Sequence, residues 1–262
     1  MGKGKRRKTR KSHKFSKIGL VIVIFALIVV VAYFASSQPT NPNNDGELKA
    51  AILDSLYIMD ENPDFLFKAN QTLSNAGFKV DIYLAENVTV ELFKELPSLN
   101  YKIIILRVHT AWESNPQELS TIAFFTGTPY NNFGYLTEQL LLEVREGTIE
   151  GYPTHFFAVT QNLIQVSQGY FPDSIIIVDS CYGLNSDSMA QAFIEKGASV
   201  YIGWDKGVLS RYSDNATLIL IDNLLNDMTV EEAVNPDNTP RDIRFGSILS
   251  YYPDDKGDMK LN

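Results

Sequence analysis

The chain has 262 residues, 31 of them acidic and 23 basic, for a formal net charge of −8; 45% are apolar, one is cysteine and three are histidine. That length allows one large domain or two small ones, and the apolar share excludes a disordered tail. A single cysteine excludes an intramolecular disulfide framework and a multi-cysteine zinc site, and three histidines far apart in sequence speak against a histidine metal cage.

The charge is unevenly spread. Residues 1–17 hold nine bases (Lys3, Lys5, Arg6, Arg7, Lys8, Arg10, Lys11, Lys14 and Lys17) and no acid. The rest carries 14 bases against 31 acids, or −17. A body of that sign repels nucleic-acid phosphates, so no nucleic-acid partner is expected. Ile18 to Ala35 reads IGLVIVIFALIVVVAYFA, 18 residues without a charge. About 20 apolar residues cross a bilayer core, and Tyr33 and Phe34 suit the far interface. A cleaved signal peptide is the rival reading. Its apolar region is shorter, about 7 to 15 residues, although Ala35-Ser36-Ser37 offers small residues for cleavage. The expectation is a retained single-pass anchor with its basic flank in the cytoplasm and residues 36–262 outside. Three N-x-[ST] sequons, at Asn70, Asn87 and Asn215, agree with that side.

Residues 36–47 (SSQPTNPNNDGE) read as a polar linker, and residues 48–262 as one α/β domain. Lys49 to Leu56 is expected as a first strand. Pro63 to Ala76 has helical spacing stopped by Gly77, and Phe78 to Leu84 is a second strand. Thr89 opens a short helix, without a capping box, that runs to about Leu96. Tyr101 to Val108 (YKIIILRV) and Ser174 to Val178 (SIIIV) are continuous apolar runs of the kind buried on both faces of a parallel sheet. Between them, Ala123 to Thr126, Leu140 to Val144 and Phe156 to Val159 read as strands of an antiparallel hairpin insertion, followed by a helix from about Thr160 to Val166. Ser188 to Lys196 is a helix closed by Gly197, Ser199 to Gly203 a further strand, and Ser213 to Asn226 a helix. Strands alternating with helices predict a doubly wound, mainly parallel sheet.

His109 directly follows the YKIIILRV strand, and Cys181 follows the SIIIV strand within Asp179-Ser180-Cys181-Tyr182-Gly183. Ligands bind at the carboxyl edge of such a sheet. Were the two strands neighbours, about 4.8 Å apart, the imidazole and the thiol would face each other across a cleft. A free thiol with a pKa of about 8.5 is mostly protonated at neutral pH; an adjacent imidazole activates it and then returns a proton to a leaving amine. Backbone N–H groups at Thr110 and Cys181 are candidate oxyanion donors. Each residue has a blander reading, the cysteine as a small hydrophobe and the histidine as a structural residue, and matched placement is what raises the pair above it. His155 lies in a turn before a strand and reads as structural; His13 lies in the basic head. No Gly-x-Gly-x-x-Gly or Walker A run follows any strand, which counts against a nucleotide-binding domain.

The order strand–His, then strand–Asp-x-Cys-x-Gly, resembles the caspase-like cysteine peptidases, among them metacaspases, legumain, clostripain and the gingipains. Asp179-Ser180-Cys181 is close to the metacaspase Asp-Ser-Cys signature. Met189-Ala190-Gln191-Ala192-Phe193, Gly197-Ala198, Tyr201-Ile202-Gly203-Trp204 and Thr229 to Val234 are similar to the stretch that follows the nucleophile in the gingipain-like branch. The resemblance covers about Leu48 to Asn262. It implies a caspase-like three-layer fold, His109 as general acid/base, Cys181 as nucleophile, a peptide or protein substrate, and no metal or cofactor. It aligns Asp179 with an acid that helps bind a basic P1 side chain, a role that stands equally against that of a strand-end turn acid. Asp205, after Trp204, is a candidate for the same pocket by position, and Trp204 reads equally as a pocket wall or as core. Thr110 stands where the family usually has glycine, which favours the alternative of a catalytically inactive relative that binds a partner or peptide at the cell surface. Arg107 has no role in the resemblance.

Overall fold

The computed structural model describes residues 46–113, 121–239 and 242–261. The basic head, the apolar run at 18–35 and the linker up to residue 45 lie outside the described residues. Among the described residues no helix is long and apolar enough to cross a membrane.

Two sheets build the domain. The first has six strands in the order β2-β1-β3-β8-β9-β10: β2 Lys79–Leu84, β1 Lys49–Asp54, β3 Ile103–Arg107, β8 Ile175–Asp179, β9 Val200–Trp204 and β10 Leu249–Tyr252. Five run parallel, and β10 closes one edge antiparallel to β9. The chain winds outward in both directions from the β1/β3 pair. β3, β8 and β9 are buried along their whole length. That is why β3 (IIILR) and β8 (IIIVD) are near-continuous aliphatic runs and β9 (VYIGW) has no charged side chain, with no alternation in any of them. β2, an edge strand, keeps the alternation of KVDIYL and is only half-buried.

Helices cover both faces. α1 Pro63–Asn75, α6 Ser210–Leu225 and α7 Val230–Val234 pack on the face that presents Ile52, Ile103, Ile105, Ile177 and Ile202. α2 Val90–Glu95, α4 Gln161–Val166 and α5 Asp187–Glu195 pack on the face with Leu53, Ile104, Leu106, Ile176 and Val178. Two side chains fix helix starts: Asn62 Oδ1 accepts from Phe65 N at 3.3 Å, and Thr89 Oγ1 from Leu92 N at 3.0 Å. Each satisfies an N–H that the first turn leaves unpaired. After α5, Gly197 adopts φ +100°, and a Cβ there would sit 2.7 Å from the Phe171 carbonyl oxygen. Glycine at this stop is thus required by both conformation and space.

The second sheet is antiparallel, in the order β4-β5-β7-β6: β4 Thr110–Glu113, β5 Thr121–Pro129, β7 Phe156–Thr160 and β6 Val144–Gly147. One face, with Ile122, Phe124, Phe157 and Val159, joins the core shared with α2, α4 and α5. The other carries Ala123, Phe125, Phe156 and Ala158.

Four sequence expectations shift. Leu140 ends a short helix, α3 Leu136–Leu140, and the strand expected from Leu140 begins at Val144. The insertion also recruits β4, read in the sequence only as the residues after the histidine. α6 starts one turn before Ser213. β10 had no counterpart in the sequence reading, because LSYY alternates weakly and is only half-buried. The later Thr229 forms a full capping box with Glu232, Glu232 N donating to Thr229 Oγ1 and Thr229 N to Glu232 Oε2.

In β9, a Cβ on Gly203 would lie 3.1 Å from the Gly183 backbone, in the turn that follows Cys181. Gly203→Ala is predicted to lower stability by about 1–3 kcal/mol through overpacking, read from the urea midpoint at unchanged m-value.

Candidate active site

β3 and β8 are adjacent and parallel, with Arg107 directly opposite Asp179. His109 and Cys181 each lie two residues beyond those facing ends, so the register brings the two residues to equivalent positions on one edge. The chain leaves the first sheet at His109 and enters the second at Thr110, whose hydroxyl lies 2.5 Å from that of Ser180. This bond ties the histidine loop to the cysteine loop. Both partners are buried, so neither hydroxyl has water as a ready alternative.

The cysteine turn is held from the far side as well. Tyr182 N donates to Lys206 O, Leu184 N to Trp204 O, and the buried Tyr201 hydroxyl to Gly183 O at 2.6 Å. Cys181 Sγ donates to Val208 O at 3.1 Å and accepts from Val208 N at 3.3 Å. Burial pushes the thiol pKa up; the Val208 backbone contact works against that, and the Asp179 and Asp242 charges add to it. His109 packs edge-on against Phe125, ring centroids 5.2 Å apart, and burial lowers its pKa. Both shifts favour the neutral forms, thiol and imidazole. Among the described residues there is no hydrogen bond between His109 and Cys181.

His109 opens onto a cavity of about 390 Å³ walled by Thr110, Ala111, Ile122, Ala123 and Ala158, with Arg145, Glu146, Thr148 and Thr160 completing it. The residues expected to form a P1 pocket lie elsewhere. Trp204 is fully buried and donates from Nε1 to Ser213 Oγ at 2.9 Å. Asp205 holds β10 in place, accepting from Ile248 N at 2.7 Å. Asp179 is buried; one carboxyl oxygen accepts from the Ser213 hydroxyl, and the other has no hydrogen-bond partner among the described residues. Burial first, then the neighbouring Asp214 charge, hold its carboxyl well above the ordinary range, which favours the protonated acid. His155 is exposed and paired with Glu146 at 2.6 Å.

The sequence reading missed the cluster beneath this edge. The Arg107 side chain is fully buried, with Nε 2.6 Å from Asp214 Oδ1, Nη1 3.0 Å from Asp54 Oδ1, and Nη1 donating to Asp60 O at 2.9 Å. Burial alone would lower the guanidinium's pKa, but the hydrogen bond to Asp214 and the charges of Asp54 and Asp214 more than offset it and push it up. Asp54, at the end of β1, is raised by burial to about 6 despite Arg107. The available signal was a charged residue ending two apolar runs, Asp54 after KAAIL and Arg107 within IIILRV. Asp214 could be found only from the tertiary structure.

Comparison of the chain with protein-family models and with curated proteins finds no match.

Two measurements test the cluster. Arg107→Leu is predicted to cost about 3–5 kcal/mol in urea unfolding, since it strands buried carboxylates. Asp54 binds its proton more tightly folded than unfolded, so its contribution to stability is complete below about pH 4 and is lost as pH rises through about 6. Asp54→Asn is therefore expected to remove a decline in stability across that window, seen by comparing the variant's pH–stability profile with that of the unchanged protein.

Proposed function

We propose that the chain is a caspase-like cysteine peptidase, anchored in a membrane by residues 18–35 with its α/β domain outside the cytoplasm, that cleaves peptide bonds through a His109/Cys181 dyad. The observation that carries this reading is the register of β3 against β8, which gives the two residues equivalent positions on the ligand-binding edge. The Thr110–Ser180 hydrogen bond supports it by fixing the two loops to each other.

The proposed chemistry starts from the neutral pair. Cys181 Sγ attacks the scissile carbonyl while neutral His109 accepts the thiol proton, so charge develops only in the transition state. Backbone N–H groups at Thr110 and Cys181 are the proposed donors to the oxyanion. His109 then gives its proton to the leaving amine, and water hydrolyses the thioester to regenerate the thiol. The hydrogen bonds between Cys181 and Val208 must be exchanged for this geometry, in keeping with catalytic contacts that tighten only when substrate is bound.

Those same bonds favour a second reading. A thiol that both donates to and accepts from one backbone residue is satisfied as it stands, as in a non-catalytic relative that binds a peptide or partner at the cell surface.

Peptide cleavage and peptide binding separate the two, and thiol alkylation checks the resting state that both share. The peptidase reading predicts that full-length protein cleaves a mixed peptide library and that Cys181→Ala and His109→Ala each abolish cleavage without a large fall in Tm. Cys181 alkylation without substrate should titrate above the free-thiol value of about 8.5. Cleavage that survives either substitution contradicts the dyad, and absence of cleavage together with peptide binding favours the second reading.

A further inference from the structure

We infer that Arg107 is the built-in occupant of a guanidinium-binding pocket on the sheet edge that bears the nucleophile, and that the site is thereby closed to substrates with a basic residue at P1. The inference rests on the peptidase reading for its statement about P1, and on geometry alone for its statement about Arg107.

The pocket lies at the point where the first sheet winds away in two directions, between the carboxyl ends of β1 and β3, where open α/β sheets receive ligands. Here Arg107 itself fills the crevice. Asp54 comes from β1, Asp214 from α6, and Asp179 ends β8 two residues before Cys181. The guanidinium meets Asp214 through two nitrogens, Nε to Oδ1 at 2.6 Å and Nη2 to Oδ2 at 3.1 Å. Nη1 reaches both oxygens of Asp54, at 3.0 and 3.2 Å. This is the fork geometry that carboxylates use to select a guanidinium over an ammonium.

The pocket is also roofed. The segment after β1 supplies the Asp60 carbonyl to Nη1, and Asn62 Nδ2 donates to Asp214 at 2.5 Å. At the start of α6, Ser210 donates to the Asp60 carboxylate, and Arg211 donates to Glu61 O at 2.7 Å and to Asp60 Oδ1 at 3.4 Å, which straps the roof down from outside. A P1 arginine would need the same carboxylates. The two on Arg107 are already engaged, and Asp179 gives one oxygen to Ser213 and keeps the other, which has no hydrogen-bond partner among the described residues, buried within the fold. What remains open beside His109 is the cavity walled by Ala111, Ala123 and Ala158, where the one carboxylate, Glu146, is already paired with His155 and the guanidinium of Arg145 adds positive charge, a lining that does not favour a basic side chain.

The test uses full-length Arg107→Ala and the unchanged protein, each heated with increasing methylguanidinium, with methylurea as the uncharged isostere. A ligand that binds only the folded form raises Tm with concentration. The expected result is a saturable rise of several degrees in Arg107→Ala with methylguanidinium, none with methylurea, and none in the unchanged protein. No rise, or an equal rise in the unchanged protein, overturns the inference. If Arg107→Ala does not fold, Arg107→Lys takes its place: a Tm below that of the unchanged protein supports a fork-specific pocket, and an equal Tm overturns it. Peptides differing only at P1 (Arg, Lys, Ala, Leu, Asp) then read specificity. Arginine should not be favoured, and Asp179→Asn should leave the Arg/Ala ratio within about two-fold. A preference for arginine of about ten-fold or more that Asp179→Asn abolishes overturns the closed-pocket statement. Failure to cleave any peptide rejects the peptidase reading and leaves the methylguanidinium titration to decide the role of Arg107.

Discussion

A guanidinium removed from water needs acceptors for its N–H groups and charge to balance it, or it destabilises the fold by far more than a single contact returns. Arg107 meets that demand by drawing together β1, β3, α6 and the segment after β1. The pairs to Asp214 and to Asp54 tie these elements to one another. The carboxyl edge of the sheet, elsewhere in this architecture an open crevice, is therefore filled on the β1/β3 side. The loops bearing His109 and Cys181 extend from this same edge, one residue beyond Val108 and one beyond Ser180.

The cluster also sets the electrostatics above it. Three buried carboxyl groups surround one guanidinium, so full ionisation would leave uncompensated negative charge in a medium that penalises it. Asp179 resolves the excess by favouring its protonated form. Less negative charge then faces Cys181, although what remains, with burial, still favours the thiol. His109, against the Phe125 ring, favours the neutral base. The resting pair in the proposed mechanism is thus uncharged, which limits oxidation of the thiol, because oxidation follows thiolate character and exposure.

Much of the fold was legible because buried parallel strands write themselves as Ile and Val runs, and KIIIL and SIIIV mark β3 and β8 without ambiguity. Helix stops at Gly77 and Gly197 were equally plain. The insertion was harder. Leu140-Leu141-Leu142 looks like a strand by composition, yet these residues are exposed and end a short helix, so apolarity there does not report burial. β10 is short and half-buried, and leaves no pattern. The equivalent positions of His109 and Cys181 past β3 and β8 were legible because strand ends can be counted from sequence. Asp179 and Trp204 each read two ways in the sequence, as pocket residues or as a strand-end acid and a core residue, and the structure engages both in the interior, while Asp205, a pocket candidate by position, bonds to the segment before β10. Their partners Ser213 and Ile248 come from distant segments, and pairings across such separations do not show in a single sequence. Thr110 read as a departure from a pattern; its hydroxyl bond to Ser180 gives it a structural use that a glycine would lack.

The central claim is that Cys181 is a nucleophile assisted by His109. Intact-mass analysis after incubation with a panel of peptide acyloxymethyl ketones, comparing the unchanged protein with His109→Ala, tests it most directly. The account predicts one peptidyl adduct per chain, located on Cys181 and strongly reduced in the variant. An absent adduct, or one formed equally fast without the imidazole, would contradict it.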